Sequence, residues 1–130
     1  MMRFHHVGVA CANIQKTAAK LTPMLGAVAS ETVFDPNQNA ELCMLDMPDG
    51  SRIELVAGPV VAGYLKVRTS YYHVCYEVPD IAAAVQEFKS NGAVIVSPPK
   101  PAVLFGGRQV SFVQTPMGLV ELLDAEPSPE

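Results

Sequence analysis

The amino-acid sequence predicts an α+β fold in which two tandem βαβββ modules form a cupped, half-barrel-like mixed sheet with helices on its outer face. The segment FHHVGVACANIQKTAAKL, which begins at Phe4, has a counterpart in YYHVCYEVPDIAAAVQEF, which begins 67 positions later at Tyr71. At the same spacing, IELV at 53–56 falls on VELL at 120–123. Similarity at one fixed offset near both ends of a segment is typical of a duplicated supersecondary unit.

Each copy begins with an alternating, strand-like segment and continues into a segment with helical periodicity. Apolar or small residues recur at positions 14, 17, 18, 21, 24 and 25 of the first copy and at 81, 84, 85 and 88 of the second. This spacing places them on one face of a helix, and that face is expected to pack on the sheet. Asn13 and Asp80 are the predicted N-caps, and Gly26 and Gly92 are the predicted C-terminal stops.

Three strands are predicted after each helix, from runs of apolar and β-branched residues between turn signals. The turns PDG at 48–50 and PMG at 116–118 are expected to close matching hairpins. The predicted strands are 4–11, 27–34, 40–47 and 52–57 in the first module, and 71–78, 93–97, 109–115 and 119–123 in the second. The chain, 1–130, is therefore expected to be a single domain, with module one at 3–57, a linker at 58–70, module two at 71–124 and a polar tail at 125–130.

Composition and charge exclude several other classes of protein. The chain is 49% hydrophobic and 17% charged, which excludes a disordered protein, and a net charge of −4 without a basic block argues against a nucleic-acid partner. No apolar run reaches the roughly 18 residues of a membrane span, and the N-terminus lacks a signal-peptide pattern, so a cytoplasmic protein is expected.

The three widely spaced cysteines are expected to be buried free thiols. Outer sheet edges and a mean hydropathy of +0.21 predict a homodimer.

Side-chain alternation predicts a group of metal-ligand residues on one face of the sheet. On the first and last strands of each module, the parity opposite to the apolar one carries two histidines and two carboxylates: His6, Glu54, His73 and Glu121. A single strand His or Glu is usually a core or solvent-facing residue, but these four are related by the repeat. Two imidazoles and two carboxylates suit one divalent ion such as Co, Ni, Zn or Mn.

The third strand of each module is expected to add residues to the same face. In the first module, Leu42 and Met44 are expected to point toward the helix. The opposite parity then places these residues beside the four ligands: Glu41 and Cys43, and by the repeat Gln109 and Ser111.

The segment LFGGR at 104–108 is a second candidate binding feature. Gly106 and Gly107 could admit a ligand close to the backbone, and Arg108 could bind its phosphates or carboxylate. A surface hairpin with a solvated charge is an equally good interpretation. Phe105 could line the entrance to the site or serve only in packing.

The motifs HHVGVA, IELVAG, YYHVCYEVPDI and GLVELL resemble those of the vicinal oxygen chelate superfamily, which includes glyoxalases, bleomycin resistance proteins and extradiol dioxygenases. The resemblance covers Phe4 to Asp124 and implies paired βαβββ modules around a metal ion. The segment PPKPAVLFGGRQVSFVQTPMGLVELL at 98–123 is most similar to methylmalonyl-CoA epimerases. The residues that match the four ligand positions of the superfamily are His6, Glu54, His73 and Glu121.

The resemblance implies a metal-dependent epimerase or isomerase that removes a proton α to a (thio)ester carbonyl of a small-molecule substrate such as an acyl-CoA. Glu41 falls where some bacterial epimerases carry a catalytic Glu, which implies that Glu41 and Glu121 exchange the proton from opposite faces.

Two alternatives stay open at this point. A glyoxalase I-like lactoylglutathione lyase is favoured by Glu54, because many epimerases have Gln there, but Ala10 stands where those glyoxalases have an Arg that grips glutathione. A non-catalytic small-molecule (antibiotic) binding protein is the alternative from another class, although such members generally lose the metal ligands that this chain keeps.

Overall fold

A computed structural model describes residues 2–125, which contain nine strands and three α-helices. This confirms the predicted α+β class. The chain divides into two compact units. We call His6–Tyr72 the N-terminal unit, and we call the described residues from His73 onward, together with those up to His5, the C-terminal unit.

The elements of the N-terminal unit are β1 (Arg3–Ala10, in this unit from His6), α1 (Ile14–Leu25), β2 (Val28–Ala29), β3 (Val33–Asp35), β4 (Ala40–Asp46), β5 (Arg52–Ala57) and α2 (Ala62–Lys66). Its strands follow the order β2-β4-β5-β1, and β3 also pairs with β4. Strands β1 and β5 are parallel, whereas β4 is antiparallel to β2, β3 and β5.

Helix α1 begins and ends at the predicted caps. The Asn13 side chain accepts a hydrogen bond from the Lys16 N–H at 2.9 Å, and Gly26 takes the left-handed conformation, with φ of 65°. The strand predicted at 27–34 is instead divided into β2 and β3. Ser30 lies between them, and its hydroxyl accepts a hydrogen bond from the Met44 N–H at 2.8 Å, which replaces a ladder hydrogen bond by a side-chain one.

The segment predicted as a linker, 58–70, is folded rather than extended. It contains a 3₁₀ turn at Pro59–Val61 and the short helix α2. Gly58 has a φ of 147°, and a Cβ there would lie 2.9 Å from the Asn39 carbonyl oxygen, so a larger residue would collide with the loop before β4.

The elements of the C-terminal unit are β6 (Tyr71–Val78, in this unit from His73), α3 (Ile81–Ser90), β7 (Val94–Pro101), β8 (Gln109–Thr115) and β9 (Gly118–Asp124). Its strands follow the order β6-β9-β8-β7, in which β6 and β9 are parallel and β8 is antiparallel to both β7 and β9. Asp80 caps α3 by accepting a hydrogen bond from the Ala83 N–H at 3.1 Å, as predicted.

Strand β7 continues through SPPKP to Pro101, beyond the predicted end of this strand at residue 97. Its pairing with β8 shifts register between Ile95 and Ser97 and again between Ser97 and Lys100. Because β7 lies at the edge of the sheet, its prolines need no partner on the outer side, and the strand tolerates them.

Each unit has an apolar core between its helix and one face of its strands. We call that face of the strands the helix face. In the N-terminal unit the buried members are Cys11, Ile14, Cys43, Leu45, Leu55 and Ala57. In the C-terminal unit they are Val78, Ile81, Val85, Val113, Val120 and Leu122. The opposite side of the strands is called the ligand face, because the predicted metal ligands lie there.

The predicted side-chain parity of β4 and β8 is wrong in both units. Cys43 packs with Ile14 of α1 on the helix face, whereas Met44 is the cross-strand partner of Glu54 on the ligand face. In the same way, Phe112 lies opposite Glu121, and the prediction that Ser111 and Gln109 share that face does not hold. A shift of one residue in register moves every side chain of a strand to the other face, and alternation within the strand does not reveal it.

Cys11, Cys43 and Cys75 are buried free thiols, as predicted. Burial raises the pKa of the Cys11 thiol, which keeps it protonated and unreactive near neutral pH. Within the described part of the chain, no helix is both long and apolar enough to cross a membrane. Of the predicted polar tail, only Ala125 lies within the described residues.

Candidate metal centre

The C-terminal unit holds a buried histidine–carboxylate pair on two neighbouring parallel strands. His73 lies on β6 and Glu121 on β9, and both side chains are almost inaccessible to solvent, at 0% and 4% exposure. The His73 Nε2 atom is 3.1 Å from the Glu121 Oε1 atom. The ring of Phe112 packs edge-on against the imidazole, with ring centres 5.4 Å apart, so one side of the pair is apolar.

The N-terminal unit holds the corresponding pair, also on two parallel strands. His6 lies on β1 and Glu54 on β5, where Glu54 is the cross-strand neighbour of Gly8. The His6 Nε2 atom is 3.7 Å from the Glu54 Oε2 atom, and the two side chains are 0% and 1% exposed. The alternation of β1 and β5 therefore predicts correctly that these side chains share a face.

The two separations fit pairs of ligands that share an ion. Two atoms that each lie about 2.1 Å from one metal are about 3.0 Å apart at an angle near 90° and about 3.6 Å apart at an angle near 120°. The observed 3.1 Å and 3.7 Å agree with these values. In both pairs the atom nearest to the carboxylate is Nε2, the imidazole nitrogen that points away from the backbone.

The burial of the carboxylates also favours a cation. An ionised carboxylate loses several kcal/mol of hydration when it is buried, and only a close positive charge or several hydrogen bonds offset this cost. Glu54 and Glu121 are both buried beside an imidazole. In each unit the imidazole nitrogen and the carboxylate oxygen could bind a metal ion, and this mixture of nitrogen and oxygen donors suits Zn, Co, Ni or Mn.

Glu41 does not share the face of Glu54. It is exposed, its cross-strand partner is Ala57 of the helix-face core, and it is two residues from Cys43, which belongs to the same core. The expectation that Glu41 lies beside the ligands depended on the wrong parity of β4. Its catalytic role stays a prediction, and its position in the N-terminal unit does not support that role.

Arg108 is held within the C-terminal unit. Its Nε atom donates a hydrogen bond to the Asp124 carbonyl oxygen at 2.8 Å, and its guanidinium forms an ion pair with Glu77. The guanidinium lowers the pKa of the Glu77 carboxyl. Gly106 and Gly107 have φ values of 64° and 88°, so they form the turn that returns the chain to Arg108. Their predicted role in ligand binding stays a prediction.

A polar network lies at the start of β4 and is not predicted by the sequence patterns above. The buried Asp35 accepts hydrogen bonds from the Asn37 N–H at 2.9 Å and from the Gln38 Nε2 at 2.8 Å. The Tyr72 hydroxyl donates to Gln38 Oε1 at 2.9 Å. The stretch DPNQN, which contains the residues of an Asx turn, is the signal that could have revealed the first of these bonds.

The family described as the Glyoxalase/Bleomycin resistance protein/Dioxygenase superfamily matches residues 5–112 of the chain. The chain belongs to this superfamily. Among its relatives, an ethylmalonyl-CoA/methylmalonyl-CoA epimerase from Cereibacter sphaeroides is 29% identical over 117 residues. The alignment covers 85% of this chain and 87% of the epimerase.

Solved structures of epimerases share the fold of this superfamily member. The methylmalonyl-CoA epimerase of Mycobacterium tuberculosis superimposes with a TM-score of 0.82 at 21% identity, over 95% of this chain and 88% of that one. A methylmalonyl-CoA epimerase in complex with methylmalonyl-CoA and NH4+ superimposes with a TM-score of 0.81 at 21% identity, over 99% of both chains. The resemblance to the superfamily and to its epimerases is thereby confirmed.

Proposed function

We propose that this protein is a metal-dependent epimerase that removes and returns a proton α to the thioester carbonyl of an acyl-CoA. One observation carries the proposal: each unit holds a buried His–Glu pair at the same position of the repeat, with a separation that fits shared metal ligation. The similarity to an ethylmalonyl-CoA/methylmalonyl-CoA epimerase over most of both chains supports the choice of reaction.

We propose that His6, Glu54, His73 and Glu121 are the four protein ligands of one divalent ion. The two imidazoles bind through Nε2, and each carboxylate offers one oxygen as a ligand and keeps a second as a proton acceptor. When bound, the ion supplies an electrophile that stabilises negative charge on the substrate's carbonyl oxygen.

The proton transfer needs a carboxylate on the ligand face. Glu121 meets this condition in the C-terminal unit and Glu54 in the N-terminal unit, so we propose that these two exchange the proton. The prediction that Glu41 is one of the two bases requires its side chain to reach the substrate from the helix-face side of β4. A comparison of the corresponding glutamine variants decides between these assignments.

A glyoxalase-type lyase is the second candidate. It is favoured by the buried carboxylate of Glu54, since a carboxylate beside His6 could take a proton from a hemithioacetal in the same way. The third candidate is a non-catalytic small-molecule binding protein. The two buried carboxylates do not favour it, because such a protein does not require residues that bind a metal.

The experiment is a proton-exchange assay on the metal-loaded protein in D₂O, with methylmalonyl-CoA in one arm and the hemithioacetal of methylglyoxal and glutathione in the other. Deuterium at the α-carbon of the thioester is the expected result. Turnover of the hemithioacetal alone would establish the lyase. Metal-free protein that binds a small molecule without exchange would establish the binding protein.

We also propose a cytoplasmic homodimer. The edge strands β2 and β7 present exposed apolar side chains, including Val28 on β2 and Val94 and Val96 on β7. Exposed apolar edges favour association with a second chain. Sedimentation at micromolar concentration tests this, and a monomeric mass would contradict it.

A further inference from the structure

The segment between β7 and β8, Ala102–Arg108, folds onto the ligand face of the C-terminal unit. Its aromatic residue, Phe105, packs against a buried cluster on that face: Cys75, Ala102, Val110 and Leu123. Cys75 is the cross-strand neighbour of Glu121, and Leu123 follows Glu121 by two residues on the same face of β9. Phe105 therefore covers the part of the face adjacent to the His73–Glu121 pair.

This segment is held in place by its own hydrogen bonds and by an ion pair. The Ala102 N–H donates to the Arg108 carbonyl oxygen at 2.9 Å, and the Gly107 N–H donates to the Ala102 carbonyl oxygen at 3.0 Å. Arg108 is fixed in turn by Glu77 and by the Asp124 carbonyl oxygen. The His5 and Phe105 rings pack edge to face, with ring centres 5.4 Å apart.

Phe105 is more accessible to solvent than the buried apolar residues against which it packs. Cys75 and Leu123 have no exposed surface, so a ligand does not reach them. Phe105 is half-buried, so one part of the ring is fixed by packing and the other is accessible. A rigid, partly accessible aromatic ring beside a metal-ligand pair is suited to contact the apolar part of a substrate.

We propose that Phe105 sets the size limit for the alkyl group on the α-carbon of the substrate. The inference rests on the proposed function, in which the α-carbon of an acyl-CoA reacts beside the His73–Glu121 pair. The alkyl group on that carbon is the apolar part nearest to the reacting centre, and Phe105 is the partly accessible apolar side chain of the adjacent cluster. Arg108 acts as a positioning residue, because it fixes the segment that carries the ring.

The test measures kcat/KM for methylmalonyl-CoA and for ethylmalonyl-CoA with the metal-loaded wild-type protein and with Phe105→Ala. One methylene in an apolar site changes kcat/KM by about 10-fold to 200-fold, and the lower value applies to a half-buried wall. The ratio of the ethylmalonyl-CoA value to the methylmalonyl-CoA value is therefore expected to rise about tenfold. Phe105→Leu keeps most of the packing, and its ratio is expected to rise by about threefold.

The matched control is Phe88→Ala, which removes the same ring from another half-buried position, on the helix face of the same unit. Its ratio should stay at the wild-type value even if the protein becomes less stable. An unchanged ratio in both Phe105 variants, with proton exchange retained, would overturn the inference and leave the proposed function standing. If the wild-type protein exchanges no proton with either thioester, the proposed function fails and the inference fails with it.

Discussion

Replacing His73 with Ala should weaken metal binding and remove most of the stability that the metal confers. Loss of a residue that merely orients a ligand costs about 10-fold to 100-fold in metal affinity, so loss of the ligand itself should cost at least about 100-fold. At a free metal concentration of about 100 times the dissociation constant, the ion stabilises the wild-type fold by about 2.7 kcal/mol. A 100-fold weaker variant gains only about 0.4 kcal/mol at the same concentration.

The measurement is the metal-induced shift in Tm, together with titration of Zn, Co, Ni or Mn into metal-free protein. For a chain of this size, the difference of about 2.3 kcal/mol corresponds to a shift that is roughly 10 °C smaller in the variant. His6→Ala should behave in the same way, and His5→Ala is the matched control from the neighbouring position of β1. A full metal-induced shift in His73→Ala, or an equal loss in His5→Ala, would refute the ligand assignment.

Four further substitutions test the base, the ion pair and a helix cap. Glu121→Gln should lower proton exchange by about 10²–10⁴ and Glu41→Gln by less than about threefold, because of these two carboxylates only Glu121 lies on the ligand face. Equal losses in the exchange assay would restore Glu41 as a base. Glu77→Gln should cost about 1 kcal/mol at pH 7 by urea unfolding. Since the ion pair with Arg108 lowers the pKa of Glu77 from 4.5, its contribution is present above that pH and is lost as pH falls through the lower folded value. A constant difference between pH 7 and pH 3 would contradict that cause. Asp80→Ala should lower the free energy of unfolding by about 1 kcal/mol through loss of the α3 cap, and no change would show that the cap is not stabilising.

The sequence predicted the local elements well where chemistry within a few residues determines them. The caps at Asn13 and Asp80 are local, because each side chain accepts a hydrogen bond from an N–H three residues later. The division of the strand at 27–34 depends on Ser30 and Met44, which are far apart in the chain, and alternation does not show it. The extension of β7 through its prolines follows from its place at the edge of the sheet, which is a property of the topology.

The same distinction explains which site residues were placed correctly. The faces of His6, Glu54, His73 and Glu121 follow from alternation against apolar neighbours on their own strands. The face of Glu41 was assigned on β4, where both parities carry apolar or thiol side chains and alternation is weak. Here the register against β5 decides the face, and the sequence does not contain that register in any local pattern.

The hairpins show why the repeat did not correct this error. Strands β4 and β5 last pair at Asp46 and Arg52, whereas β8 and β9 pair as far as Thr115 and Gly118, so the second hairpin has the shorter loop. Because loop length fixes register, the strands before the two loops do not follow the offset of 67 that relates the strands after them. That offset matches Met44 with Ser111, but the residue opposite Glu121 is Phe112.

Met44 and Phe112 are thus the structural equivalents, and each places an apolar side chain beside one of the buried carboxylates. An apolar neighbour limits the access of water to a metal ligand and strengthens its attraction to a cation. The two units therefore repeat the surroundings of the His–Glu pairs as well as the pairs themselves, and only the pairing of the strands shows it.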